Sequence, residues 1–145
     1  MVRSESIKKG ASAPSPLNTP LADQDFRAPD VYDAEVTLWV PSLKKNGDPL
    51  DHDSLVSLVT EKFLSLYGGA TCIAARGAMN LLPGSQGEKV TLVISFTTEE
   101  RVSQTRPALR ELVKWILEAY GKVAVMLRVN DMTWVFRDEM LHVAT

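Results

Sequence analysis

Apolar and polar residues alternate with two different periods between Asp33 and Phe136, and the order of those periods predicts the fold. Ala34, Val36, Leu38 and Val40 alternate with Asp33, Glu35, Thr37 and Trp39. That period of two marks a half-buried strand over 33–40, ended by Pro41. The turn cluster Asn46-Gly47-Asp48-Pro49 follows, and Asp51 or Asp53 can cap the next element. Leu55, Leu58, Val59, Phe63 and Leu66 then recur at helical spacing over 54–67, and Gly68-Gly69 stops the helix. A second strand is expected over 70–78 and a third over 89–97, joined by a loop with Pro83-Gly84 and Gly87. Thr98, Glu99 and Glu100 open a second helix with an acidic first turn. Pro107 should kink or divide it, the regular part starting near Pro107. From there Leu109, Leu112, Val113, Ile116, Leu117 and Tyr120 form one apolar stripe, ended by Gly121. A fourth strand over 122–129, the tight turn Asn130-Asp131 and a short fifth strand over 132–136 complete the pattern.

The order β-α-β-β-α-β is the split βαβ, or ferredoxin-like, arrangement. It predicts an α+β fold: an antiparallel sheet with two helices on one face and an extra C-terminal hairpin strand. Residues 1–29 contain Pro14, Pro16, Pro20 and Pro29 among small polar residues and few large apolar ones. Such a stretch buries too little to offset chain entropy, so a disordered or extended arm is expected there, with a single domain over 30–145. Leu17, Leu21 and Phe26 are the arm's only candidate anchors for a partner.

The alternation also predicts which sheet face is free. With Val36, Leu38, Val90, Leu92, Ile94, Val123, Val125 and Leu127 under the helices, the opposite face carries Glu35, Thr37, Trp39, Thr91, Val93, Ser95, Ala124, Met126 and Arg128. Met132 and Trp134 of the fifth strand would join it. Trp39, Val93, Met126, Arg128 and Trp134 are therefore the candidate binding residues of an open, partly apolar face. A second copy of the chain is the most economical partner, giving a homodimer, and cover of Trp39 and Trp134 by the N-terminal tail or the C-terminal residues stands level with it; another protein, a flat ligand or single-stranded nucleic acid are the further alternatives.

Composition narrows the partners. The chain has 145 residues, 16 basic and 18 acidic, for a net charge of −2. An acidic body is a poor footprint for nucleic acid. No apolar run is long enough to cross a bilayer, and residues 1–10 lack the apolar core of a secretory signal. One cysteine, Cys72, rules out an internal disulfide and suits a cytoplasmic setting.

Candidate chemistry is sparse. His52, between Asp51 and Asp53, is expected to face solvent at a helix start, and His142 lies in the tail. Cys72 is expected to be a buried, inert thiol. Neither points to a metal or a nucleophile, and no cofactor is expected. Glu99 and Glu100 are explained by the helix dipole. The segment Gly68-Gly69-Ala70-Thr71, followed by Ala74-Ala75-Arg76-Gly77, is the most distinctive text. Its order, helix to glycines to strand, is the reverse of a phosphate loop. Gly69, Thr71 and Arg76 are the candidate contacts for an anion or other ligand.

The span 37–129, with Gly68-Gly69-Ala70-Thr71 and Ala75-Arg76-Gly77, resembles small, largely uncharacterised bacterial proteins that share this helix closure. The resemblance implies a ferredoxin-like fold and a host-accessory or mobile-element role, and it brings no catalytic residues. Ala78-Met79 stands where those proteins often carry an aromatic residue.

The expectation that results is a non-enzymatic interaction or regulatory protein, acting through the open sheet face and the arm and self-associating. The alternatives are a small-ligand-binding domain or small enzyme with a pocket between the sheet and 69–77, and a nucleic-acid-associated accessory protein. If 1–29 is an arm, a protein shortened to begin at Asp30 keeps a cooperative thermal transition; loss of cooperativity on shortening would move the domain boundary into the arm.

Overall fold

The computed structural model describes residues 30–44, 46–77, 87–120 and 124–137. The expectations for 1–29, the Pro83-Gly84 loop, Gly121, the first residues of the fourth strand and the C-terminal tail lie outside these residues. The elements are β1 (Ala34–Val40), α1 (His52–Tyr67), β2 (Thr71–Gly77), β3 (Glu88–Thr97), α2 (Glu99–Ala119), β4 (Ala124–Val129) and β5 (Met132–Arg137). The strands form one antiparallel sheet in the order β2-β3-β1-β4-β5. This is the expected α+β, ferredoxin-like arrangement with a fifth strand added beside β4.

Local chemistry sets the element ends. Asp51 caps α1 by accepting from the Ser54 backbone N–H and hydroxyl, bonds that hold its carboxyl below the usual carboxylate value. Gly68, at φ +85°, closes α1 in the left-handed conformation, and its N–H donates to the Leu64 carbonyl at 2.9 Å. Thr98 caps α2 through the Arg101 N–H. Pro107 does not divide α2, which runs unbroken through it. Pro107 lies on the exposed side, so water can solvate the Ser103 carbonyl that loses its helical partner. The β4–β5 turn is pinned by Asn130, which adopts φ +53°. Its Oδ1 accepts from the Glu35 N–H at 2.9 Å and its Nδ2 donates to Glu99 at 3.1 Å. The hairpin is thereby tied to both β1 and the start of α2.

The core lies between the sheet and the two helices. Val36, Leu38 and Val40 of β1 are fully buried, against Leu55, Val59 and Phe63 of α1 and Leu109, Leu112, Val113, Ile116 and Leu117 of α2. Val125 and Leu127 of β4 join them as expected.

On β3 the expected phase is inverted. Leu38 pairs with Val93 and Trp39 with Leu92. Thr91, Val93, Ser95 and Thr97 therefore face the helices and are buried, while Val90, Leu92, Ile94 and Phe96 lie on the open face. Specific hydrogen bonds make the polar inward positions tolerable. The Thr91 hydroxyl meets His52 Nε2 at 2.8 Å, and the Ser95 hydroxyl donates to the Gly69 carbonyl at 2.6 Å.

His52 is likewise not a solvent-facing residue. It is buried, and its Nδ1 donates to the Pro41 carbonyl at 2.8 Å. A carbonyl only accepts, so Nδ1 carries a proton, and Nε2 pairs with the Thr91 hydroxyl. The imidazole is a structural strut between the end of β1 and β3. Cys72 also departs from expectation: it is exposed on edge strand β2, with Sγ 3.3 Å from the Thr60 hydroxyl. The helices cover the central strands and leave this edge open.

The burial of both residue types is open to a stability measurement. Leu112→Ala or Ile116→Ala should each cost about 2–5 kcal/mol in urea unfolding. His52→Ala, which orphans the Pro41 carbonyl and Thr91 hydroxyl, should cost about 1–3 kcal/mol. A neutral His52→Ala would return this residue to the surface.

Candidate ligand cleft

The chain reverses where α1 ends, and the reversal builds a cleft. After Gly68 the backbone passes Gly69 and Ala70 into β2, where Thr71 pairs with Ile94. Ser95, pointing inward from β3, holds the Gly69 carbonyl and so fixes this backbone against the sheet. The last residue of α1, Tyr67, packs edge-on against Phe63 at 5.6 Å between ring centres. Its hydroxyl donates to Thr105 at 2.9 Å, while Thr105 donates to the Arg101 carbonyl at 2.8 Å. Arg101 Nε donates to the Leu66 carbonyl at 2.8 Å. The first turns of α2 thus clamp the end of α1, and with it one wall of the cleft.

The cleft has a volume of about 520 Å³ and is lined by Tyr32, Tyr67, Gly68, Gly69, Ala70, Thr71, Ile94, Ser95 and Phe96. None of these side chains is charged. Tyr32 and Phe96 are 59% and 54% exposed, so their rings are free to contact a ligand. Burial pushes the Tyr67 phenol above its ordinary value, against the opposing pull of Thr105 and the Arg101 charge. The phenol therefore stays neutral and serves as a hydrogen-bonding group. The volume falls in the range of small-molecule pockets.

Two of the candidate ligand contacts, Gly69 and Thr71, line this cleft. The third does not: Arg76 lies toward the other end of β2 and donates to the Gly87 carbonyl at 2.6 Å. Of the candidate sheet-face residues, Trp39, Met126 and Arg128 do share the open face, since Trp39 pairs with both Leu92 and Met126 and Thr37 with Arg128. Arg128 Nε is engaged by the Asn130 carbonyl at 2.7 Å. Val93 and Trp134 are on the helix face instead. Val93 sits there because it pairs with Leu38, and Trp134 because it pairs with Leu127. Among the described residues no group of His, Cys, Asp and Glu is arranged to hold a metal ion. No helix among them is long and apolar enough to cross a membrane.

Tyr32, Tyr67, Ile94, Ser95 and Phe96 were not legible as site residues. Tyr67 alone carried a local signal, since it directly precedes the two glycines. Ile94, Ser95 and Phe96 reach the cleft through the β3 register, and Tyr32 from the segment before β1.

No protein-family model matches the chain, and none of the curated proteins compared with it does. Solved structures do share its fold. A phage SAM lyase in complex with S-methyl-5'-thioadenosine superposes with a TM-score of 0.53 at 13% identity, over 73% of this chain and 90% of that one. The same kind of enzyme in its apo state superposes with a TM-score of 0.53 at 12% identity over the same shares. At such identity the likeness speaks to the fold. It nonetheless overturns the expectation of a non-enzymatic regulatory protein acting through its sheet face and arm. That expectation rested on the lack of a catalytic motif, and this fold houses an enzyme.

The buried phenol has a pH signature. Its pKa in the folded chain lies above the ordinary value of 10.0, so its contribution to stability is complete below about pH 10 and is lost as the pH rises through the folded value. Tyr67→Phe should therefore flatten the alkaline fall of stability, measured by urea unfolding between pH 8 and pH 11. An unchanged alkaline limb would mean that the ring is not desolvated.

Proposed function

We propose that this chain binds S-adenosylmethionine, or its thioether fragment S-methyl-5'-thioadenosine, in the cleft at Gly68–Thr71, and that it cleaves the sulfonium compound in a cytoplasmic setting. The observation that carries this reading is the cleft: charge-free, walled by Tyr32, Tyr67 and Phe96, and backed by the exposed chain of Gly68 and Gly69. Aromatic faces suit both halves of such a ligand. A planar adenine stacks on them, and a cationic sulfur is attracted to their negative π faces. The absence of a lysine or arginine from the lining spares the sulfonium a like charge. The solved example of the fold with a bound thioadenosine supports the same ligand class.

The chemistry fits the lack of charged groups in the cleft. As the carboxylate of the ligand's methionine arm closes onto the γ-carbon to form a lactone, the bond from that carbon to sulfur breaks, and its electron pair goes to the positively charged sulfur, leaving the neutral thioether S-methyl-5'-thioadenosine. That departure needs no general acid, so orientation carries most of the work. Tyr67, kept neutral by burial, and the Ser95–Gly69 bond serve to hold the cleft's shape.

Saturating either ligand at about one hundred times its Kd should raise Tm by about 10 °C. Phe96→Ala, at an exposed position, should abolish the rise without lowering the unliganded Tm. Chromatography of S-adenosylmethionine incubated with the protein should show S-methyl-5'-thioadenosine accumulating. No rise in Tm with either compound at millimolar concentration refutes the reading; a rise without product reduces it to ligand binding.

A further inference from the structure

A second cavity lies on the helix side of the sheet, between α2 and the β4–β5 hairpin, with a volume of about 260 Å³. Its floor is apolar and buried: Leu109 of α2 and Leu127 of β4. Trp134 and Phe136 of β5 form its aromatic wall, both partly exposed. Arg106 and Arg110 of α2 line its rim, and both are exposed. They stand four residues apart, so they share one helix face.

The described arginines fall into two groups, and Arg106 and Arg110 share theirs with Arg137, whose buried Nε has no hydrogen-bond partner among the described residues. Arg76, Arg101 and Arg128 each donate to a backbone carbonyl. Arg106 and Arg110 make no hydrogen bond or ion pair with any described residue. Two like charges at this spacing repel, and on a chain of net charge −2 acidic neighbours were available to compensate them. Glu111, the acidic residue nearest along α2, pairs with neither. A pair of guanidinium forks with no partner among the described residues, above an aromatic wall, is complementary to an anion joined to a flat ring. The forks match the paired oxygens of a carboxylate or phosphate, and the indole and phenyl faces take the ring. A volume just below that of drug-sized pockets limits the occupant to a one- or two-ring molecule.

The geometry points to a binding site for a small planar aromatic anion, bearing a carboxylate or a phosphate, between Arg106, Arg110 and Trp134. It is separate from the cleft at Gly68–Thr71, shares none of its residues and does not depend on the ligand proposed there.

Titration of the full chain with 1-naphthoate, 1-naphthyl phosphate and neutral 1-naphthol tests this, read from the indole N–H resonance of Trp134, assigned by its loss in Trp134→Phe. At least one of the two anions should shift that resonance saturably, and the stronger of them identifies the head group. Naphthol should bind roughly tenfold more weakly or worse, because it lacks the charge-assisted bonds. Arg106→Gln and Arg110→Gln should each weaken the anion by about tenfold with Tm unchanged, since both side chains are exposed. Phe96→Ala should leave the titration as it was. Equal binding of naphthol and the anions, no response of Trp134 at millimolar probe, or arginine variants that bind like the parent would each overturn the assignment.

Discussion

Leu38 is the residue on which the rest of the sheet depends. It sits at the centre of β1, fully buried, and pairs with Val93 on one side and Leu127 on the other. Strand side chains alternate strictly, so this one row fixes the facing of every residue on three strands. It places Val36, Val40, Val93, Val125 and Leu127 against the helices. It also forces Thr91 and Ser95 inward, where a hydroxyl without a partner is costly. The fold meets that cost with groups from outside the sheet: the His52 ring for Thr91 and the Gly69 carbonyl for Ser95. The same register turns Leu92, Ile94 and Phe96 outward beside Trp39 and Met126, and makes the open face more apolar than alternation alone suggests.

The cleft is a consequence of the second of those hydrogen bonds more than of any motif. Ser95 draws the chain after α1 onto the sheet, which brings Gly69 and Thr71 beside Ile94 and Phe96. Gly68 permits the reversal because its positive φ is unstrained only without a side chain. The Tyr67–Thr105–Arg101 bonds then join the end of α1 to the start of α2, so the cleft wall is held by both helices. A site built this way carries no charge of its own. It offers aromatic faces, backbone groups and shape, which match the flat, partly apolar and cationic ligand proposed for it.

The hairpin end of the sheet obeys a different constraint. Asn130 occupies the left-handed region, where asparagine is better tolerated than most residues, and its side chain bonds to both β1 and α2. With Val129 opposite Met132, β5 must present Trp134 and Phe136 to the helix layer. That converts an expected sheet-face tryptophan into the wall of a cavity beside α2, facing two arginines that no other described residue engages. The two ends of the sheet therefore hold pockets of opposite character, one charge-free and one cationic at its rim.

Periodicity and local end signals determined the element order, the α+β class, the caps at Gly68 and Thr98, a cap at Asp51 or Asp53, and the burial of the α2 stripe. These are local properties: a cap or an amphipathic helix is written in residues a few positions apart. The facing of β3 and β5 was not local. Val90-Thr91-Leu92-Val93-Ile94-Ser95-Phe96 offers larger apolar groups at the even positions, and local hydrophobicity puts those inside. Pairing with Leu38 reverses that choice, because His52 and Gly69, 39 and 26 residues away in sequence, satisfy the hydroxyls at the odd ones. For the same reason His52 reads as a surface residue until its two partners are in place, and Pro107 reads as a break until its exposed side is known. Gly69 and Thr71, singled out from their own glycine-rich text, do line the cleft. Tyr32, Ser95 and Phe96 were not legible as its residues, because only the tertiary structure brings them there, Ser95 and Phe96 through the register of a hydrogen-bonded sheet and Tyr32 from the segment before β1.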